Sequence, residues 1–238
     1  MSLKKALRQL RGKKAAPQPR GDSTLALGGL LAGRTRPVLF DIGAHFGETH
    51  AVFARQFEDA EIFCFEPFPD SYARLAENTA ARKDSRAFNI GFSDQPGRKD
   101  FNANRSSPTN SLLELDKRAP ETWNMPGLLG DHKVSCEFDT VDNFIQAHGL
   151  SRIDLLKMDV QGAEYQVLTG AETALKNGMI DTIYMEIITG PTYVGQWPAD
   201  RYMAYLRERG FELFGLYNLD YRADQYLKQM DAIFTRSR

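Results

Sequence analysis

Four acidic side chains stand at or near the carboxyl ends of short apolar runs that have the composition of buried strands. They are Asp41, Glu66, Asp159 and Glu186. In an open parallel α/β sheet, ligands bind outside the carboxyl ends of the strands. One such acid can equally well cap the following helix, but four at corresponding positions indicate a binding edge. Carboxylates at that edge can bind sugar hydroxyls, face a positive centre, or take a proton from a substrate.

The first acid opens a glycine-containing turn. Asp41 is followed by the residues IGAHFG, in which Gly43 and Gly47 allow close backbone approach to a ligand and Ala44 and His45 lie between them. The turn lacks the GxGxxG spacing that a dinucleotide pyrophosphate requires. S-adenosylmethionine carries an adenosine and a sulfonium but no pyrophosphate. The turn therefore favours this ligand over NAD.

Residues beyond the turn complete the predicted cofactor site. Glu66 ends the second apolar run and can bind both ribose hydroxyls, while Asp41 can accept a hydrogen bond from the amino group of the ligand or order water near it. Ser93 and Asp94 follow the third predicted strand, over 87–92, and are expected to contact the adenine.

The spacing of apolar residues from residue 36 onward predicts alternating strands and helices. This alternation is typical of a doubly wound, mostly parallel α/β sheet with a Rossmann-like topology. One predicted helix spans 163–176, after the strand that ends at Asp159. Residues 98–138 break the alternation, and we expect them to form a hairpin and a loop that cover the ligand edge.

The amino-terminal part differs in charge from the rest. The whole chain has a net charge of -1, whereas residues 1–20 contain seven Lys or Arg and no acid. We expect residues 1–33 to be a basic extension outside a domain over 34–238, either solvated or in weak contact with a membrane surface. The overall charge gives no reason to expect a nucleic acid partner. The basic segment also has no aromatic residue that could stack on a base. Two cysteines and no long apolar run favour a reducing, cytoplasmic location.

Several motifs together resemble the FkbM-type methyltransferases. They are DIGAHFG from Asp41, FEP from Phe65, SD from Ser93, NSL from Asn110, LKMDVQGAE from Leu156 and YME from Tyr184. The resemblance implies a seven-stranded class I fold that binds S-adenosylmethionine and methylates hydroxyl groups of sugars and polyketide-like metabolites. Two positions depart from the family pattern. His45 stands where the family more often has Asn, and Gln161 stands where it usually has Glu.

Methyl transfer from a sulfonium to a hydroxyl requires in-line alignment and removal of the hydroxyl proton. Asp159 is expected to be the general base because it ends the central strand. Lys157 lies on the same face of that strand and could keep Asp159 or Glu164 ionised, or could instead form a buried ion pair that fastens strand to helix. Glu164 and Glu186 are expected to position the acceptor. A divalent metal bound with Asp159 is a less favoured alternative, since no His accompanies these acids at ligand spacing.

The sequence thus predicts an S-adenosylmethionine-dependent O-methyltransferase with a small-molecule or glycan acceptor. A non-catalytic module that binds S-adenosylmethionine or a nucleotide is an alternative, but it would need only the turn and Glu66. A nucleic-acid methyltransferase is a third possibility, and it depends on the basic segment alone.

Overall fold

Strands and helices alternate along most of the described chain, which comprises residues 22–103, 109–126, 128 and 132–237 of a computed structural model. The strands are β1 (Val38–Ile42), β2 (Glu61–Phe65), β3 (Ser85–Phe88), β4 (Gly91–Phe92), β5 (Gly97–Ala103), β6 (His132–Asp139), β7 (Ile153–Met158), β8 (Ile180–Ile188), β9 (Phe211–Tyr221) and β10 (Leu227–Arg236). The helices are α1 (Ser23–Leu31), α2 (Glu48–Gln56), α3 (Pro69–Thr79), α4 (Ala119–Thr122), α5 (Val141–Ala147), α6 (Glu164–Thr169), α7 (Glu172–Lys176) and α8 (Ala199–Glu208).

The main sheet has seven strands in the order β3-β2-β1-β7-β8-β10-β9. β1 runs parallel to both β2 and β7, and β10 runs antiparallel between β8 and β9. The predicted doubly wound, mostly parallel sheet is therefore confirmed. Because the strand order reverses beside β1, a crevice opens at the carboxyl ends of β1 and β7, where ligands of such sheets bind.

The central strands are apolar on both faces because helices cover both sides of the sheet. In β1, Phe40 packs in one core cluster with Phe63 and Leu156, while its neighbour Leu39 packs in the other with Ile62. All five side chains are fully buried. This two-sided packing fixes the height and direction of the strand ends that carry the site.

The insertion forms a second, three-stranded sheet in the order β4-β6-β5. β5 and β6 pair antiparallel, which confirms the predicted hairpin. The single strand predicted over 87–92 is instead two strands in different sheets. The Asn89 side chain lies between them and donates to the carbonyl oxygens of Glu66 and Pro67 at 2.9 and 3.1 Å, where the chain leaves the main sheet.

The predicted helix over 163–176 is also divided, into α6 and α7, with Gly170 between them. A Cβ atom at Gly170 would lie 2.1 Å from the carbonyl oxygen of Ser93. The close approach of these two segments leaves no room for a side chain at this position.

Helix α1 corrects the predicted domain boundary. Its side chains Ala26, Leu27 and Leu31 are buried against the sheet in the cluster that contains Leu39. Asp22 caps the helix by accepting from the backbone N–H groups of residues 24 and 25. The prediction that residues 1–33 lie outside the domain is therefore wrong for this helix, because burial of its apolar face makes it part of the core. The basic segment over 1–20 lies outside the described residues.

No helix in the described parts of the chain is long and apolar enough to cross a membrane.

Candidate active site

A cavity of about 310 Å³ opens at the carboxyl ends of β1, β2 and β7. Its wall is formed by the turn after β1, Glu66 after β2, apolar side chains of the second sheet, and the segment from Asp159 to Gln161. The cavity thus lies at the point where the strand order reverses, as the fold leads one to expect.

The turn after β1 is held against the end of β7 at a distance that only glycine permits. Gly43 has φ of 73°, and a Cβ atom there would lie 1.9 Å from the carbonyl oxygen of Asp159. The Asp159 N–H donates to the carbonyl oxygen of Ile42 at 3.0 Å. The N–H groups of Gly43 and Ala44 both donate to the carbonyl oxygen of Phe65 at 3.0 Å. The turn, the end of β2 and the end of β7 are thereby locked together.

Glu66 is the carboxylate on the β2 side of the cavity. Its two oxygens accept from the N–H of His45 at 3.0 Å and from the N–H of Phe68 at 2.9 Å. His45 adopts the left-handed conformation, with φ of 48°, in this arrangement. Burial raises the pKa of Glu66 to about 7, although the two N–H groups oppose the shift. Because each carboxylate oxygen has a second lone pair, Glu66 can still accept two further hydrogen bonds from a ligand.

An apolar wall lines the cavity beside Glu66. It is formed by Phe92, Phe101, Leu112 and Phe138, which come from β4, β5, β6 and the segment after residue 109. The sequence predicted a hairpin and loop over the ligand edge but not these side chains. For Phe101 and Phe138, the sequence signal was the apolar alternation within the predicted hairpin.

Asp41 does not line the cavity, which corrects its predicted contact with the ligand. It is fully buried, and its Oδ1 lies 2.8 Å from Lys157 Nζ. The two residues are opposite each other in the β1–β7 register. Burial by itself would lower the pKa of Lys157, but the carboxylates of Asp41 and Asp159 raise it to about 12. Lys157 thus pairs with Asp41, rather than with Asp159 or Glu164, and also donates to the carbonyl oxygen of Gly43 at 3.2 Å.

Asp159 is half-buried and lines the cavity. Its Oδ1 accepts from Gln161 Nε2 at 2.8 Å, and the same nitrogen donates to Glu186 Oε2 at 3.1 Å. Glu186 lies behind Gln161 and does not itself line the cavity. Burial raises the pKa of Glu186 well above its ordinary value, and the nearby charges of Asp159 and Glu164 raise it further. In the sequence, Gln161 stands out only as a departure from the pattern of the FkbM-type methyltransferases.

Glu164 is fully buried and does not line the cavity, so its predicted contact with the acceptor is corrected. Its Oε1 accepts from the N–H of Val160 at 3.0 Å. Burial raises the pKa of Glu164 to about 7. Glu164 therefore holds the backbone of the loop that follows Asp159.

Three residues predicted at the cofactor also lie away from the cavity wall. Ser93 is fully buried and its hydroxyl donates to the carbonyl oxygen of Gln95 at 2.8 Å. Asp94 is exposed and lies 3.8 Å from Lys99 Nζ. Gly47 caps helix α2 with φ of 93°. These residues shape the loops around the site, and none of them faces it.

The alternative of a metal site finds no geometric counterpart in the described ranges. Within residues 22–103, 109–126, 128 and 132–237, no group of three or more His, Cys, Asp or Glu side chains could hold a metal ion.

Known proteins resemble this chain in sequence and in fold. The Methyltransferase FkbM domain matches residues 41–213. The 2-O-methyltransferase NoeI of Sinorhizobium fredii is 34% identical over 176 residues, which cover 68% of this chain and 68% of NoeI. The hexuronic acid methyltransferase AglP of Haloferax volcanii is 29% identical over 160 residues, which cover 64% of this chain and 56% of AglP.

Among solved structures, an rRNA methylase from Streptococcus thermophilus superimposes with a TM-score of 0.51 at 10% identity, over 91% of this chain and 95% of that one. At that identity the likeness concerns the fold alone. The extent of the sequence match carries the stronger conclusion: this chain is a member of the FkbM family of methyltransferases.

Proposed function

We propose that this protein transfers the methyl group of S-adenosylmethionine to a hydroxyl group of a sugar, glycan or secondary metabolite. The observation that carries the proposal is that one cavity is lined by both Glu66 with the β1 turn and, on its other side, Asp159. The first set suits a nucleoside with free ribose hydroxyls. The second provides a carboxylate where a hydroxyl proton has to be removed.

The residues on the β2 side fit the cofactor. Glu66 retains lone pairs for both ribose hydroxyls, and hydrogen bonds to an ionised carboxylate are stronger than those between neutral groups. The apolar wall that includes Phe92 and Phe138 offers a surface for the adenine. At Gly43, the backbone of Asp159 occupies the space that a Cβ atom would fill, so the turn packs closely against the end of β7 beside the cavity. When bound there, the cofactor supplies an electrophilic methyl group on a sulfonium.

The residues on the β7 side fit the acceptor. As the acceptor oxygen forms its bond to the methyl carbon and the bond from sulfur to that carbon breaks, the hydroxyl proton passes to Asp159. Gln161 holds one oxygen of this carboxylate, which leaves the other available to the hydroxyl. Lys157 also lines the cavity, but its ammonium is paired with the buried Asp41, so that it joins β7 to β1.

The name of one relative favours a hydroxyl acceptor, and the name of the other favours a sugar acid. NoeI is named a 2-O-methyltransferase and AglP a hexuronic acid methyltransferase. The match to the FkbM domain spans residues 41–213, which include Glu66, Asp159 and Gln161. A sugar presents several neighbouring hydroxyls, and the polar groups beside Asp159 can distinguish them by hydrogen bonding.

The test is transfer of a labelled methyl group from S-adenosylmethionine to a panel of monosaccharides, nucleotide sugars and oligosaccharides. NMR of the product identifies the methylated position. We expect an O-methyl product with at least one sugar, and calorimetric binding of both S-adenosylmethionine and its demethylated product. Tight binding without transfer to any acceptor would instead support a binding module. Binding of NAD in preference to the sulfur ligands would overturn the cofactor assignment.

A further inference from the structure

We propose that Gln161 is a positioning residue that aims the Asp159 carboxylate at the acceptor by bridging it to Glu186. This inference rests on the proposed methyl transfer, because it assigns Asp159 the proton of the acceptor hydroxyl. Four separate contacts of Gln161 support it, and they come from different parts of the chain.

The side-chain amide of Gln161 is fully engaged. Its Nε2 donates one hydrogen to Asp159 Oδ1 at 2.8 Å and the other to Glu186 Oε2 at 3.1 Å. Its Oε1 accepts from the hydroxyl of Tyr193 at 2.9 Å, and that hydroxyl also lies 3.0 Å from the carbonyl oxygen of Thr109. The reversed amide would turn its oxygen toward the carboxylates of Asp159 and Glu186, and the Tyr193 hydroxyl would then have to donate its single proton to Thr109 instead. The network therefore selects one orientation of the amide.

The backbone of Gln161 is held as firmly as its side chain. Gln161 has φ of 56°, in the left-handed region that residues other than glycine rarely adopt. The hydroxyl of Ser111 donates to its carbonyl oxygen at 2.7 Å. The next residue, Gly162, also has a positive φ, and a Cβ atom there would lie 2.8 Å from the ring of Tyr193. Such a conformation persists only where the surroundings enforce it, and such positions cluster at functional sites.

The charges around Gln161 explain why a neutral bridge suits this position. Asp159 and Glu186 share one amide nitrogen, and burial and the charge of Asp159 both favour the protonated form of Glu186. The other titratable groups that face this pair are Lys157 from β7, Glu164 from α6, Tyr184 from β8, Asp231 from β10 and Tyr193 from the loop after β8. A Glu at 161, the residue that the family usually has, could donate only one hydrogen, and only when protonated.

Gln161 also connects the base to the segment that faces the acceptor. It lines the cavity beside Asp159, and through Ser111 and Tyr193 it holds the chain around residues 109–112, where Asn110 and Leu112 complete the wall. A displacement of this segment is therefore transmitted to the direction of the Asp159 carboxylate. The contact between Gln161 and this segment therefore helps to select the acceptor hydroxyl that lies next to Asp159.

The experiment compares wild type with Gln161→Glu, Gln161→Ala and Tyr193→Phe. Single-turnover rates are measured across pH 5.5–9, together with the acceptor KM, cofactor affinity by calorimetry and melting temperature. We expect Gln161→Ala to lower kcat about tenfold to hundredfold, as a misdirected base does, and to move the acidic limb of the rate profile to higher pH. Gln161→Glu introduces the residue that the family usually has and should lower kcat less than Gln161→Ala. Cofactor affinity should stay within about twofold, because the bridge touches only the β7 side. Tyr193→Phe should lower kcat less, in the same direction, because it removes only the donor that orients the amide.

A wild-type rate and pH profile in folded Gln161→Ala would overturn the inference, and so would a fall in melting temperature in all three variants without any change in the pH profile. Tyr193→Phe keeps the test valid if the Gln161 variants fail to fold, since unchanged kcat in this variant contradicts an oriented amide. A second readout needs no activity. The side-chain amide NMR signals of Gln161, identified by their loss in Gln161→Ala, should shift as the bridged acids titrate. If wild type transfers no methyl group but these signals titrate, the proposed function fails while the bridge stands; if the signals ignore pH, the bridge itself is refuted.

Discussion

The two sides of the cavity are built differently. On the β2 side, Glu66 binds backbone N–H groups of two nearby segments, and the turn around Gly43 is a continuous stretch of chain. On the β7 side, Asp159, Gln161 and Glu186 bind one another through their side chains, with Tyr193 added from a distant loop. Backbone contacts suit a ligand that does not change, such as a cofactor. Side-chain contacts can change by substitution, which suits the part of the site that selects an acceptor.

Substitutions on the two sides of the cavity should therefore impair different properties of the protein. Damage to the β2 side should appear in cofactor affinity, and damage to the β7 side should appear in turnover. Asp159→Asn, Glu66→Gln and Asp94→Ala test this separation, and a pair of substitutions in helix α1 tests the corrected domain boundary.

The largest effect is expected at Asp159. Asp159→Asn keeps the shape of the side chain but cannot take the acceptor proton, so turnover should fall ~10²–10⁴-fold. Cofactor affinity should change little, because Asp159 is not on the β2 side. Single-turnover kinetics and calorimetry on the same preparation measure both. Normal turnover in a well-folded variant would remove Asp159 as the base.

A large loss of stability is expected in helix α1, beneath the sheet. Leu27 is 1% exposed and Leu25 on the same helix is 64% exposed. Leu27→Ala should cost about 2–5 kcal/mol of unfolding free energy through a buried cavity, whereas Leu25→Ala should cost about 0.5 kcal/mol or less. Denaturant unfolding measures both. Equal, small losses would restore the predicted boundary at residue 33.

The third effect concerns Glu66 and is specific to the β2 side. Glu66→Gln should weaken cofactor binding by about 1.5–3 kcal/mol, the scale of a lost hydrogen bond to a charged group, without altering the rate at saturating cofactor. Burial raises the pKa of Glu66 from 4.5 to about 7. The affinity of wild type should therefore rise as pH increases through 7, since the ionised carboxylate is the better acceptor, and the affinity of Glu66→Gln should not.

The raised pKa of Glu66 makes folding stability change with pH in the opposite direction to cofactor affinity. A carboxyl whose pKa is higher in the folded state binds more protons there, so stability falls as pH rises between the unfolded and folded values. For Glu66 that window runs from pH 4.5 to about 7. Unfolding of the ligand-free protein across this range should show a smaller decline in Glu66→Gln than in wild type. An identical decline in both would show that Glu66 does not titrate in this window.

The smallest effect is expected at Asp94. Asp94→Ala removes an exposed carboxylate whose cation partner is Lys99, at 3.8 Å. Changes in cofactor affinity and in stability should both stay within about 0.5 kcal/mol. A loss of affinity as large as that of Glu66→Gln would return Asp94 to the cofactor site.

Local spacing was sufficient to predict much of the β2 side. Gly43, Ala44, His45 and Glu66 line the cavity where the strand, turn and helix pattern placed it. The prediction for Asp41 failed because the residue opposite a strand position depends on register, and Lys157 lies 116 positions further along the chain. The prediction that helix α1 lies outside the domain failed because the burial of its apolar residues depends on the sheet face that packs against them.

The sequence by itself thus determined the order of strands and helices, the glycine turn and the set of acids at the strand ends, because these depend on neighbouring residues and on the periods of 2 and 3.6. The tertiary structure decided which acids reach the cavity. It buried Asp41 against Lys157 and Glu164 against the backbone of Val160, and it left Asp159 open beside Gln161. The physical reason is that pairing between distant residues follows from strand register and core packing, which no local pattern encodes.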